Sequence, residues 1–308
     1  MIDSANPESE GPTLPPLRPV VPRPAGTFQP VVRALLFVLF CFLLFIFLPG
    51  AVSRLAGSLP GVAQLALAYV LLDAALLAES WLFVQAFDRR SFRTVGLWFY
   101  QGWGRELAAG AGVGAGLLAA VVAGLVVARG VAYHGLAELD GKRLLQLLTM
   151  AVILLLAAVF EEMAFRGYGF QRMVDAVGPV VATAVFAGLF GAVHIRNPSV
   201  TALALVNTAL SGVLLSVAYL KTRGLWLPIG LHWAWNFFMG PVFSLPVSGI
   251  RVGPMLLRGE LTGAKWLTGG AYGPEGGVVL TAACALVIVG LARTRRVSPS
   301  PAMEEALK

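Results

Sequence analysis

The sequence predicts an all-α fold, a polytopic membrane helix bundle of about eight transmembrane helices. Composition points there first: 57% of the 308 residues are hydrophobic and only 13% are charged, with a mean hydropathy of +0.78. A water-soluble domain carries about a quarter charged residues, so there is too little polar surface here to cover a soluble globule. Segment length points there next, because several apolar stretches reach the roughly 20 residues needed to cross a bilayer. Lipid then dictates conformation. Inside hydrocarbon every backbone N–H and C=O must pair, and a helix does this within its own segment.

The elements follow in order. Residues 1–32 hold eight prolines and no apolar run, which reads as a disordered Pro-rich tail. It is not a signal peptide, because the first apolar run starts only at Ala34 and is too long for an h-region. The apolar segments are 34–51, 62–87, 107–128, 144–165, 179–195, 200–220, 225–245 and 278–292. Together they make a transmembrane domain over 33–292, followed by a cytoplasmic tail over 293–308. The third segment opens Gly110-Ala-Gly112-Val-Gly114-Ala-Gly116, which offers two faces of small residues for close helix contact. Residues 246–277 are rich in Gly and Pro and read as a string of turns, with a lid over a cavity as the alternative.

An even number of crossings puts both termini on one side. Fifteen of the 23 Lys and Arg fall in the tails and the even-numbered loops, and eight in the odd-numbered loops. The positive-inside rule therefore places both termini in the cytoplasm. The same rule accounts for the net charge of +7, and no basic patch with interleaved aromatics is present, so no nucleic-acid partner is expected. Cys41 and Cys284 both sit inside apolar runs and imply no disulfide framework.

The informative residues are polar ones inside apolar segments, where an ionisable group costs at least about 2.5–3.5 kcal/mol. Glu162 and Arg166 are one turn apart and can pair. Glu161 points about 100° away from Glu162. Its own helix offers it only Ala164 and Phe165, so its partner must come from another helix. Of the three histidines, His134 lies in a loop and reads as a surface residue. His194 and His232 lie in or at the ends of apolar segments, and Asn236 is one turn beyond His232. The fourth and fifth segments form a hairpin turning near 176–178. Glu161 and His194 stand nearly equal numbers of residues on either side of that turn, hence at similar depth. For His232 to stand level with them, the 166–178 end must project into the cytosol. Asp73 and Glu79 do not share a face, and Asn207 and Ser211 read as links between helices.

Such a set supports two chemistries. A carboxylate and an imidazole can hold and deprotonate water while a second imidazole and an amide donate to an oxyanion. Alternatively, two His and one Glu can hold zinc with a water in the open position. An H-E-x-x-H helix is absent.

The residues resemble the CPBP family, the CAAX-protease and bacteriocin-processing (Abi) intramembrane proteases. The family pattern EExxxR, FxxxH, HxxxN reads here Glu161-Glu162-Met-Ala-Phe-Arg166, Phe190-Gly-Ala-Val-His194 and His232-Trp-Ala-Trp-Asn236. The stretch "LSGVLLSVAYLKTRGLWLPIGLHWAWNF" is similar to the family's last block, and "LTGGAYGPEGG" is similar to a stretch of some bacterial members. The resemblance covers about 88–245, with its motif core at about 143–245. It implies an intramembrane endopeptidase of the type II CAAX prenyl protease class that hydrolyses a peptide bond near the cytosolic membrane face. Glu161 and His194 would activate the water, His232 and Asn236 would stabilise the oxyanion, and Glu162 and Arg166 would support them. The cofactor is either none or zinc on Glu161, His194 and His232. The implied partners are a membrane-associated peptide or protein substrate and the lipid bilayer, in a bacterial inner (plasma) membrane. The competing expectations are a non-catalytic immunity or scaffold protein that retains the polar motif, and a transporter using Glu161 as a proton relay.

Overall fold

The computed structural model describes residues 28–253 and 255–308. It is a helical bundle built from α1 (Phe28–Leu55), α2 (Gly61–Phe83), α3 (Trp103–Val127), α4 (Gly141–Arg166), α5 (Tyr168–Val193), α6 (Ala202–Thr222), α7 (Trp226–Phe237), α8 (Lys265–Thr268), α9 (Val278–Arg293) and α10 (Pro301–Ala306). Most of the expected tail, 1–27, lies outside the described residues. Residues 28–32 depart from it, because they form the first turn of α1 and Val31 packs onto the core. Among the described residues, five stretches are long and apolar enough to cross a membrane. One of them, Gly141–Val193, contains both α4 and α5. α7 and α9 have 12 and 16 residues, shorter than a bilayer span. Eight full crossings therefore do not follow from helix length, although an apolar helix occupies each expected position.

Two regions are not the featureless connections that composition suggests. The 246–277 segment contains strand β2 (Leu257–Leu261), which pairs antiparallel with β1 (Val131–Leu136) in the register Val131↔Leu261 and Tyr133↔Gly259. His134 stands on β1, exposed, 3.9 Å from exposed Glu260. The expected C-terminal tail folds back: Ser300 caps α10, and Met303 is fully buried in the core cluster around Phe37, Tyr168 and Phe170. A hydrophobic residue one turn inside a capped helix has an apolar surface to bury, so the end does not stay free.

Helix contacts give the bundle a depth scale. α1 runs antiparallel to α2, as Arg33–Asp88 (3.1 Å) and Cys41–Glu79 (3.9 Å) show. It runs antiparallel to α4 and to the part of α5 before Gly178 too, with ring contacts Phe37–Tyr168 and Phe45–Phe160. α5 reverses at Gly178, whose φ of +83° suits glycine and whose successor is Pro179. Phe170 and Phe186, eight residues to either side, then touch at 5.4 Å. The hairpin turn read from the sequence is thus in place. Asp88 binds both Arg33 and Arg172, which ties three helices together at the end that carries α10.

The tightest seam joins α3 to α7. A Cβ on Gly110 or Gly114 would collide with the carbonyls of Leu227 and Leu231, and one on Gly230 with that of Leu107. Backbone therefore meets backbone, as small residues in membrane helices permit. Gly112 and Gly116 face open space, so only one of the two expected glycine faces is used for packing.

Candidate active site

α4 has a side-chain cap from Asp140 to the Arg143 N–H (2.7 Å) and no Gly or Pro from 142 to 166. This unbroken helix presents Glu161, Glu162 and Arg166 at fixed angles. Arg166 and Glu162 are both 0% exposed and pair at 3.2 Å. The guanidinium also donates to the Gly212 carbonyl of α6 (3.0 Å) and lies 4.7 Å over the Phe190 ring. Glu162 has a second partner that its own helix does not supply: His232 Nδ1 lies 2.8 Å from Oε1. The partner that Glu161 lacked on α4 comes from α7, where His232 Nε2 stands 3.8 Å from Oε2. One imidazole thus bridges two neighbouring carboxylates that point to different sides of α4. Glu161 is the open member, with its side chain 26% exposed against 10% for His232.

His194 caps the C-terminus of α5. Its Nδ1 is 2.7 Å from the Phe190 carbonyl. A carbonyl only accepts, so Nδ1 carries the proton and Nε2 faces outward. Phe190 is the shared wall: its ring centroid is 5.0 Å from the His194 ring, 6.1 Å from His232 and 5.1 Å from Phe165. Asn236 follows His232 by one turn of α7 and is half-buried. Glu161, Glu162, Arg166 and His232 therefore form one contact chain. His194 joins it through Phe190, and Asn236 through its place on α7. Among the described residues no hydrogen bond ties Asn236 to the others.

Zinc fits this arrangement poorly. Among the described residues no three His, Cys, Asp or Glu side chains converge as a metal site. Glu161, His194 and His232 do not close on one point, and no chemical step is routed through a metal here.

The site lies deep. Phe45, near the middle of α1, stacks on Phe160, the neighbour of Glu161. His194 is sixteen residues past Gly178, about 24 Å along a helix, so the set stands well inside the bundle rather than at the end that carries α10. On the other side the 246–277 cap segment is tied to residues that neighbour it on α7 and after α5. Glu275 Oε1 accepts from Trp235 Nε1 (3.0 Å), and Oε2 accepts from the N–H and hydroxyl of Ser248. Asn197, three residues past His194, donates to the Ser248 carbonyl (3.1 Å). Asn207 holds the Glu275 and Gly277 carbonyls, both at 2.9 Å, and accepts from Thr281. Asn207 thus links α6 to this cap and to α9. A cavity of about 530 Å³ opens within the cap beside Ser199, Ser244, Arg251, Lys265, Thr268 and Gly270, and the Glu/His set does not line it. Beneath the strands, burial pushes the Tyr133 phenol up to about 12.

Residues 143–238 match the family model described as Type II CAAX prenyl endopeptidase Rce1-like. This segment is similar to an Rce1-like domain. It spans a little under a third of the chain and contains Glu161, Glu162, Arg166, His194, His232 and Asn236. Helices α4 to α7 build it, while α1 to α3, the cap and α9 lie outside. Neither the curated proteins nor the solved structures yielded a match. With its apolar helices, the Rce1-like domain belongs to a multi-pass membrane protein.

Sequence reasoning missed three things around the Rce1-like domain. The role of Phe190 as common wall, the Arg166–Gly212 contact and the Glu275 latch all join residues far apart in sequence. Two of these had a signal: Glu275 as the single acid in "LTGGAYGPEGG" and Phe190 as the first residue of the FxxxH pattern.

Proposed function

We propose that this chain is an intramembrane endopeptidase of the type II CAAX class that hydrolyses a peptide bond without a covalent intermediate. The observation that carries this reading is the Glu161–His232–Glu162–Arg166 chain, built on two helices inside an apolar bundle. Two carboxylates and one guanidinium leave one negative charge, and an imidazolium at His232 makes the set neutral. His232 then donates through both nitrogens, one to Glu162 and the other toward Glu161 and the substrate. The 3.8 Å gap between Glu161 and His232 is too long for a direct hydrogen bond and close enough for one water to touch both.

In this reading Glu161, the more exposed carboxylate, takes the proton of the attacking water, and the outward Nε2 of His194 shares in holding that water. His232 and Asn236 donate to the tetrahedral oxyanion. Glu162 fixes the His232 ring and Arg166 balances Glu162, a supporting role. The substrate is a membrane-associated peptide or protein, and the lipid bilayer is the medium. The protein resides in a bacterial inner membrane with both termini cytoplasmic. We place the scissile bond near the cytosolic membrane face.

The test is incubation of the purified full chain in lipid vesicles with a library of lipid-anchored peptides, read by mass spectrometry. Defined cuts that vanish in His194→Ala support the proposal. Absence of any cut, or cuts equal in wild type and variant, favours a non-catalytic scaffold or immunity role.

A further inference from the structure

A second polar row lies inside the bundle and takes no part in the site just described. On α2, Tyr69, Asp73 and Ser80 fall within about 40° of one another around the helix. Asp73 is 7% exposed and Ser80 0%. Among the described residues, neither oxygen of Asp73 has a hydrogen-bond partner, nor does the Ser80 hydroxyl. Glu79 sits on a different face, where one oxygen meets the Cys41 thiol. Side chains of this kind in hydrocarbon are unfavourable unless something satisfies them, and here the protein does not.

The row runs to the site. α2 packs on α4, and Phe83 of α2 touches Tyr168 at 5.3 Å. Seven residues back along each chain from that contact stand Leu76 and Glu161. Glu161 is therefore level with the α2 turn that lies between Asp73 and Ser80. Glu161 Oε2 is itself buried and has no hydrogen-bond partner. The unpartnered atoms of Asp73 and Ser80 thus stand on either side of the level of Glu161.

We propose that Tyr69, Asp73 and Ser80 line a hydrated track along α2 whose ligand is water, and that this track delivers water to Glu161. The purpose of the track rests on the hydrolase reading; its hydration does not. A hydrolase needs one solvent molecule per turnover, and the walls beside Glu161 at Phe160, Phe165 and Phe190 are apolar. The two Asp73 oxygens and the Tyr69 hydroxyl one turn away supply the two or more polar partners that a buried water requires.

The test uses the full chain in lipid nanodiscs and hydroxyl-radical footprinting, in which radicals made from water oxidise adjacent side chains. Tyr69 and the fully buried Leu76 are expected to be oxidised in the wild type. Oxidation at both should fall about fivefold in Asp73→Leu once the bridging waters are lost, while exposed Trp266 is unchanged. On a cleaved peptide, Asp73→Leu should lower kcat about tenfold with KM unchanged, and Asp73→Asn, which still binds water, should recover most of it. If Asp73→Leu does not fold, Ser80→Ala replaces it in the same assay. Unoxidised Tyr69 and Leu76 in the wild type, or oxidation indifferent to the substitution, would overturn the track. Oxidation that depends on Asp73, in a protein that cuts no peptide, upholds the track and removes the hydrolase reading instead.

Discussion

Two polar groups of side chains lie inside this bundle, and they are built on opposite rules. Around Glu162 every charged side chain has at least one partner, Arg166 on its own helix, His232 from α7 and the Gly212 carbonyl behind the guanidinium, while Glu162 Oε2 and Arg166 Nε have none among the described residues. Along α2, Asp73 and Ser80 have none among the described residues. The first group holds its charges in a fixed geometry because its side chains pair with one another. The second is satisfied only by something mobile. An apolar protein that keeps both has a rigid polar centre and a wet approach to it, and the two should respond to mutation in opposite ways.

Breaking the paired group should cost most. Arg166→Met leaves Glu162 buried beside only the imidazole, and thermal unfolding in detergent should show a loss of about 3–5 kcal/mol. Adding Glu162→Gln should restore part of that loss, because the uncompensated charge is gone. Next comes the cap: Glu275→Gln weakens a charge-assisted acceptor of three donors and should cost about 1–2 kcal/mol. That change should be confined to faster hydrogen exchange in 246–277. On α2 the sign reverses. Asp73→Leu replaces an unpartnered carboxylate with an apolar side chain and should leave the melting temperature equal or higher, a trade of stability against function. Smallest is the exposed His134–Glu260 contact, whose removal should stay within about 0.5 kcal/mol. A chelator is expected to leave turnover unchanged, and loss of activity restored by zinc would contradict the metal-free reading.

Much of this was legible in the sequence, and the reasons are physical. Apolar length marks helices because lipid allows little else. The hairpin at Gly178 followed from Gly-Pro chemistry. Glu161 advertised a partner on another helix because no basic residue stood one turn away, and His232 is that partner. What the sequence did not give up depends on tertiary contact. His232 also holds Glu162, which makes Glu162 and Arg166 part of the same chain rather than a separate neutralising pair. Burial of Met303 and packing of Val31 needed the core surface that receives them. Asp73 stood out as a charge in an apolar run, but only the helix levels show that it lies beside Glu161. The cap's fold depends on Asn207, Trp235 and Ser248 meeting one acid from three directions.

The most direct measurement is the hydrolysis rate of Glu161→Gln on a lipid-anchored peptide that the wild type cuts, with folding checked by its melting curve. The carboxamide keeps size and polarity but cannot take a proton from water, so turnover should fall by about 10²–10⁴-fold with the melting curve intact. A folded Glu161→Gln protein that cuts as fast as wild type would contradict the account.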